Sequence, residues 1–217
     1  MQPKTQYMER FIMQDLIAWK NREDRKPLIL LGARQVGKTY ILKEFGQREF
    51  EKVAYINCDN NAMAKDLFAS DYNIDRILLT IGAITGVNIE AGKTLIIMDE
   101  IQELHRGLAS LKYFCENARE YHVAVAGSLL GLSLHQGESY PVGKVNTLEM
   151  YPMTFEEFLW ARGFKQRMDL LQHGMWDVVK SLRTLYIQHL REYYLVGGMP
   201  EAVNKFIETN DANAVRE

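Results

Sequence analysis

Residues 32–39 read Gly-Ala-Arg-Gln-Val-Gly-Lys-Thr, two glycines with four residues between them and then Lys and Thr. This is the P-loop pattern, and no other stretch constrains the fold as much. Gly32 and Gly37 admit backbone angles that a Cβ blocks, so N–H groups can turn inward. Those N–H groups and the start of the next helix form a nest for a phosphate. Lys38 can reach the β- and γ-phosphates of a nucleotide, and the Thr39 hydroxyl can bind the Mg²⁺ that bridges them. The candidate nucleotide contacts are therefore Gly32, Ala33, Arg34, Gln35, Val36, Gly37, Lys38, Thr39 and Tyr40. The flanks agree: Leu28-Ile29-Leu30-Leu31 suits a short buried parallel strand, and Ile41, Leu42 and Phe45 recur at helical spacing.

A second feature is Thr94-Leu95-Ile96-Ile97-Met98-Asp99-Glu100, a buried strand with two carboxylates at its C-terminal end. Ligands of open α/β sheets bind at those ends. Asp99 is placed to hold Mg²⁺ through water, and Glu100 to polarise a water attacking the γ-phosphate. The plain alternative is that the pair caps the next helix. A third strand, 123–126, ends in Gly127-Ser128. Ser128 either senses the γ-phosphate, joining Lys38 and Glu100 as a catalytic candidate, or caps the following segment. Strands at 53–57 and 145–149 complete the set, the last alternating as an edge strand does. An acidic strand two places from the P-loop strand leaves room for one strand between them, as in the additional-strand ATPases. No Asn-Lys-x-Asp loop for guanine is present, which favours ATP with Mg²⁺.

The expected fold is α/β: a parallel P-loop NTPase sheet flanked by helices, with a small helical lid. Residues 1–150 form the core, 1–25 being an N-terminal helix, and 151–217 form the lid. Helices are also expected over 62–69, 74–85, 103–119 and 175–195. Thr154 and Glu157 make a capping box, and Pro200 starts a helix. The chain ends at residue 217 within a helical region, which suggests a piece of a longer protein. A net charge of −2 gives no strong basic field for nucleic acid or anionic membrane. Cys58 and Cys115 lie on different elements without metal-ligand spacing, which suits reduced thiols of a cytoplasmic protein. The apolar runs are too short to span a bilayer, and no secretion signal is visible.

Five segments match one known series in order and spacing: 32–39, 98–102, 126–128, 148–158 and 196–203. They resemble the prokaryotic AAA-type ATPases that carry a DUF4143 domain at the C-terminus. Members are usually about twice as long, so the resemblance implies the ATPase portion, the start of the lid and an absent C-terminal domain. Gly198-Met199-Pro200 resembles the Gly-x-Pro motif of signal-transducing ATPases, which implies that Pro200 packs near the adenine. A simple helix start is the alternative. Family members often carry Gly-Arg where this chain has Gly143-Lys144, and Lys lacks the bidentate fork. No Arg lies between Ser128 and Thr154, where ring-forming relatives supply an arginine finger. Arg34, Arg162, Arg183 and Arg191 are the remaining cationic candidates.

The reading that follows is an ATP-hydrolysing switch whose partners are ATP and ADP, with a protein partner or the C-terminal domain as its load. Two alternatives stay open: a nucleotide-binding module with negligible turnover, and a small-molecule phosphotransferase. DNA association through the absent domain is a fourth reading, unsupported by charge.

Overall fold

The structure is a computed structural model that describes residues 8–59, 61–68, 71–127 and 141–215. Its sheet holds β1 (Leu28–Leu31), β2 (Lys52–Asn57), β3 (Thr94–Asp99), β4 (His122–Ala126) and β5 (Asn146–Glu149). The strand order is β2-β3-β4-β1-β5, and every pairing is parallel. The connections from β1 to β2, β2 to β3 and β3 to β4 each carry a helix, as crossovers between parallel strands do. β3 and β4 are buried at every residue and β1 at its first three. β5, at one edge, alternates between half-buried and exposed. The strand between the P-loop strand and the acidic strand is β4, as the sequence leads one to expect.

Helices α1 (Ile12–Lys20), α2 (Lys38–Glu49), α3 (Ile74–Thr85) and α4 (Gly107–Asn117) belong to this unit, which runs from Ile12 to Met150. Ile77 and Ile81 of α3 and Leu111 and Phe114 of α4 pack with Ile56, Ile96 and Val125 in one core cluster. Ile41, Leu42 and Phe45 of α2 are fully buried, and so is Leu16 of α1. Burying one such side chain is worth about 1.5–3 kcal/mol. No helix among the described residues is long and apolar enough to cross a membrane.

Residues 8–11 group with 151–215 in a second compact unit. It contains α5 (Phe155–Ala161), α6 (Lys165–Gln172), α7 (Trp176–Ser181), α8 (Arg183–Val196) and α9 (Pro200–Thr209). The capping box forms: Thr154 N–H donates to Glu157 Oε2 at 2.9 Å, and Glu157 N–H to Thr154 Oγ1 at 3.2 Å. Glu157 also accepts Phe11 N–H at 2.7 Å and pairs with Arg10 at 3.1 Å, with both side chains buried. A carboxylate can lie this deep because its oxygens meet N–H donors and a cation. Pro200 occupies the first turn of α9.

Four expectations need correction. The N-terminal helix is confined within the described residues to α1, because residues 8–11 are drawn to Glu157 and Tyr151. Residues 62–68 form successive turns, started by the Asn61 side chain accepting from Met63 and Ala64 N–H. The expected helix 103–119 begins at Gly107, because Arg106 takes a left-handed φ of 64° after a 3₁₀ turn at Ile101–Glu103. The expected helix 175–195 is interrupted at Leu182 into α7 and α8. α7 buries none of its residues fully, and only Val179 packs against the Leu159, Met168 and Tyr186 cluster. α6 had no counterpart in the sequence reading.

His122 opens β4 and is buried, with Arg25 Nη1 2.6 Å from its Nε2 and the Phe50 ring 4.8 Å away. Burial, and then the Arg25 charge, push its pKa down to about 4. The unfolded chain therefore binds a proton below about pH 6.5 that the folded chain refuses until about pH 4. Stability is expected to fall as pH drops through that window. Urea unfolding at pH 7 and pH 5 checks it: His122→Phe is expected to lose less stability between the two than wild type.

Candidate nucleotide site

The loop from β1 to α2 has the backbone its glycines predict. Gly32 has φ 148° and Gly37 φ 98°. A Cβ on Gly32 would lie 2.3 Å from the Met150 carbonyl oxygen, so only glycine fits there. Gln35, though not glycine, also sits at positive φ, 64°. Val36 is fully buried and anchors the loop, while Ala33, Arg34 and Gln35 are exposed. Tyr40 is 37% exposed on the first turn of α2.

Lys38 is buried, and its Nζ donates to the Gly32 and Ala33 carbonyls, each at 2.8 Å. The ammonium thus lies in the hollow of its own loop. Burial lowers its pKa, against the opposing charges of Glu100 and Asp99. Thr39 Oγ1 donates to Asp99 Oδ2 at 2.5 Å, across 60 residues of sequence. Asp99, 5% exposed at the end of β3, accepts Glu100 N–H on Oδ1 at 3.2 Å. Glu100 follows at φ 52°, which turns the chain sharply out of the strand. Its Oε2 accepts the Gln102 amide at 2.5 Å. The structure therefore brings Lys38, Thr39, Asp99 and Glu100 to one end of the sheet.

Three residues around Asp99 were missed by the sequence reading. Tyr55 donates its hydroxyl to Asp99 Oδ2 at 3.2 Å, and Lys43 Nζ sits 3.5 Å from the centre of its ring. Burial, then the Asp99 charge, push the Tyr55 phenol up to about 12, so it stays a donor. Cys58 donates its N–H to the Asp99 carbonyl at 2.9 Å, and burial pushes its thiol up to about 12. The sequence offers only the two-residue alternation of β2; the pairing with β3, which sets Tyr55 opposite Ile97 and Asn57 opposite Asp99, comes from the fold.

Ser128 is outside the described residues. Pro200 belongs to the second unit. There Arg162 pairs with Glu192 at 3.0 Å and lies 4.5 Å from the Phe206 ring centre, so its guanidinium is committed within that unit.

The residues present fit a phosphate and a divalent cation. The left-handed loop, the close approach at Gly32 and the buried ammonium make a cradle for a phosphate. A hydroxyl that donates its proton to Asp99 keeps its lone pairs for a cation, and hydroxyl and carboxylate oxygens are the hard donors Mg²⁺ takes.

The strand order, the P-loop after β1 and the carboxylates after β3 define a P-loop NTPase of the additional-strand class. A family model described as AAA domain matches residues 24–159, and the chain belongs to that family. An uncharacterized protein of Methanocaldococcus jannaschii, MJ1637, is 28% identical over 197 residues, covering 83% of this chain and 39% of its own length. The chain thus spans about two fifths of that relative. Among solved structures, the Thermotoga maritima RuvB Holliday junction branch migration motor superposes with TM-score 0.52 at 14% identity, over 96% of this chain and 68% of that one. The closed state of Hsp104 with ATPγS and FITC casein gives 0.51 at 16% identity, over 94% and 37%. These likenesses support the fold.

Proposed function

We propose that this chain binds ATP with Mg²⁺, hydrolyses it, and uses the cycle to switch the helices that follow the sheet. The observation that carries the reading is the Thr39–Asp99 hydrogen bond, which joins the P-loop helix to the acidic strand. Lys38 would exchange its two loop carbonyls for phosphate oxygens. Thr39 and Asp99 would hold Mg²⁺, which supplies charge neutralisation at the phosphates. Glu100 would take the proton of the attacking water, held at Oε2 by Gln102. Colorimetric phosphate release from ATP, with Mg²⁺ and then with EDTA, tests the reading. Release that does not depend on the metal counts against it.

One observation favours a second reading, a nucleotide-binding module with negligible turnover. The Gln102 amide occupies a Glu100 oxygen that a general base needs. Phosphate release at the background rate, with tight Mg²⁺-dependent ADP binding, would select it.

The switch is a proposal centred on Pro200. Gly198 is not a loose hinge: a Cβ there would lie 2.3 Å from the Met153 carbonyl oxygen, and Met153 N–H donates to Gly198 O at 2.7 Å. Gly197, at φ 79°, is the position that can absorb a backbone change. Nucleotide is expected to slow hydrogen exchange over residues 196–206, and Pro200→Gly to remove that effect while the P-loop stays protected. Exchange there that ignores nucleotide counts against the switch. A C-terminal domain of the DUF4143 kind, a protein partner and a cytoplasmic setting belong to the same proposal, supported by the resemblance and by two buried free cysteines.

A further inference from the structure

Asp99 is held by more than the two motifs that meet there. Its Oδ2 accepts Thr39 Oγ1 at 2.5 Å and the Tyr55 hydroxyl at 3.2 Å, while Oδ1 accepts Glu100 N–H. A carboxylate has about four lone-pair sites, so these three donors fix its rotation and leave one direction for further bonding. The Tyr55 ring is fixed in turn. Lys43 lies four residues after Thr39, on the same face of α2. Its ammonium sits 3.5 Å from the ring centre. A cation on the ring face is held there by the ring quadrupole, and it draws density from the phenol, which strengthens the O–H as a donor. Thr39, Asp99, Tyr55 and Lys43 therefore close a circuit between the P-loop helix and two neighbouring strands.

We propose that Tyr55 is the positioning residue for Asp99, holding its carboxylate in the rotation that receives Mg²⁺ with the nucleotide, and that Lys43 holds Tyr55. This rests on the Mg·ATP reading of the site. Thr39 has to serve both the carboxylate and the cation, whereas Tyr55 serves the carboxylate alone. The anchor therefore persists when the hydroxyl of Thr39 is shared. Removing a hydrogen bond to a metal-holding side chain costs about tenfold or more in metal affinity.

The test is a Mg²⁺ titration of ADP binding followed by calorimetry, on wild type, Tyr55→Phe and Lys43→Leu, with EDTA as the metal-free arm. Tyr55→Phe keeps the ring and its contact with Lys43 and removes only the hydroxyl. It is expected to raise the Mg²⁺ midpoint about tenfold and to leave ADP affinity in EDTA at the wild-type value. Lys43→Leu is expected to shift the same midpoint in the same direction by a smaller factor. A merely structural role would weaken both arms alike, and that result overturns the proposal. An unchanged midpoint in Tyr55→Phe, with a wild type that responds to Mg²⁺, overturns it as well while leaving the site reading intact. A wild type whose ADP binding ignores Mg²⁺ overturns the site reading and this inference with it.

Discussion

Replacing Glu100 by Gln is expected to lower ATP turnover by about a hundredfold or more, the scale of a lost general base, and to leave ATP affinity within a few-fold. The geometry makes the substitution clean. The Gln102 amide can donate to the new amide oxygen as it does to Glu100 Oε2, and the left-handed backbone at residue 100 is unaffected by an isosteric side chain. What disappears is the capacity to accept a proton. Asp99→Asn should do the opposite: it weakens Mg²⁺-dependent binding, because Thr39 Oγ1 and Tyr55 then meet a neutral amide. Single-turnover phosphate release alongside calorimetry separates the two. Wild-type turnover in Glu100→Gln would remove Glu100 from the role of base.

The sheet was legible because its signals are local and strong. Apolar runs at 28–31 and 94–98 have the length and composition of strands buried on both faces, and the glycine loop requires a strand before it and a helix after it. Even the strand between them follows from the spacing. The helices were harder where packing rather than periodicity decides. Residues 175–195 carry apolar side chains throughout, yet Met175, Trp176, Tyr194 and Leu195 are exposed and the helix is interrupted at Leu182. The helix expected over 62–69 does not form over 62–68: Ala64, Leu67 and Phe68 are buried, but Asn61 holds the start of the segment in a turn.

The same division runs through the site. That Lys38, Thr39, Asp99 and Glu100 meet at one end of the sheet is legible because the spacing within two motifs fixes where each stands. The contact of Tyr55 with Asp99 is not, because it depends on which strand lies beside β3, and a tyrosine in a strand is ordinarily a packing residue. Glu157 differs again. The capping box is visible in sequence, but its second task, receiving Arg10 and Phe11 N–H, spans 147 and 146 residues and has no local sign.

Lys38→Ala is expected to weaken Mg·ATP binding by at least tenfold, about 1.4 kcal/mol or more. The reason lies in where the ammonium sits. It is 7% exposed, already stripped of most of its water, and bonded to two carbonyls of the loop that would receive the phosphates. Exchanging those neutral acceptors for anionic oxygens gains charge-assisted bonds without a fresh desolvation cost. Alanine forfeits that gain and also leaves the Gly32 and Ala33 carbonyls without their donor, which loosens the loop. Thermal unfolding of the nucleotide-free protein isolates the second effect. Lys38→Arg discriminates further, since a planar guanidinium is a poor match for a hollow that a compact ammonium fills. It is expected to restore charge without restoring affinity. Calorimetry that finds Lys38→Ala and wild type equal in affinity would mean that the loop, for all its backbone geometry, does not hold phosphate.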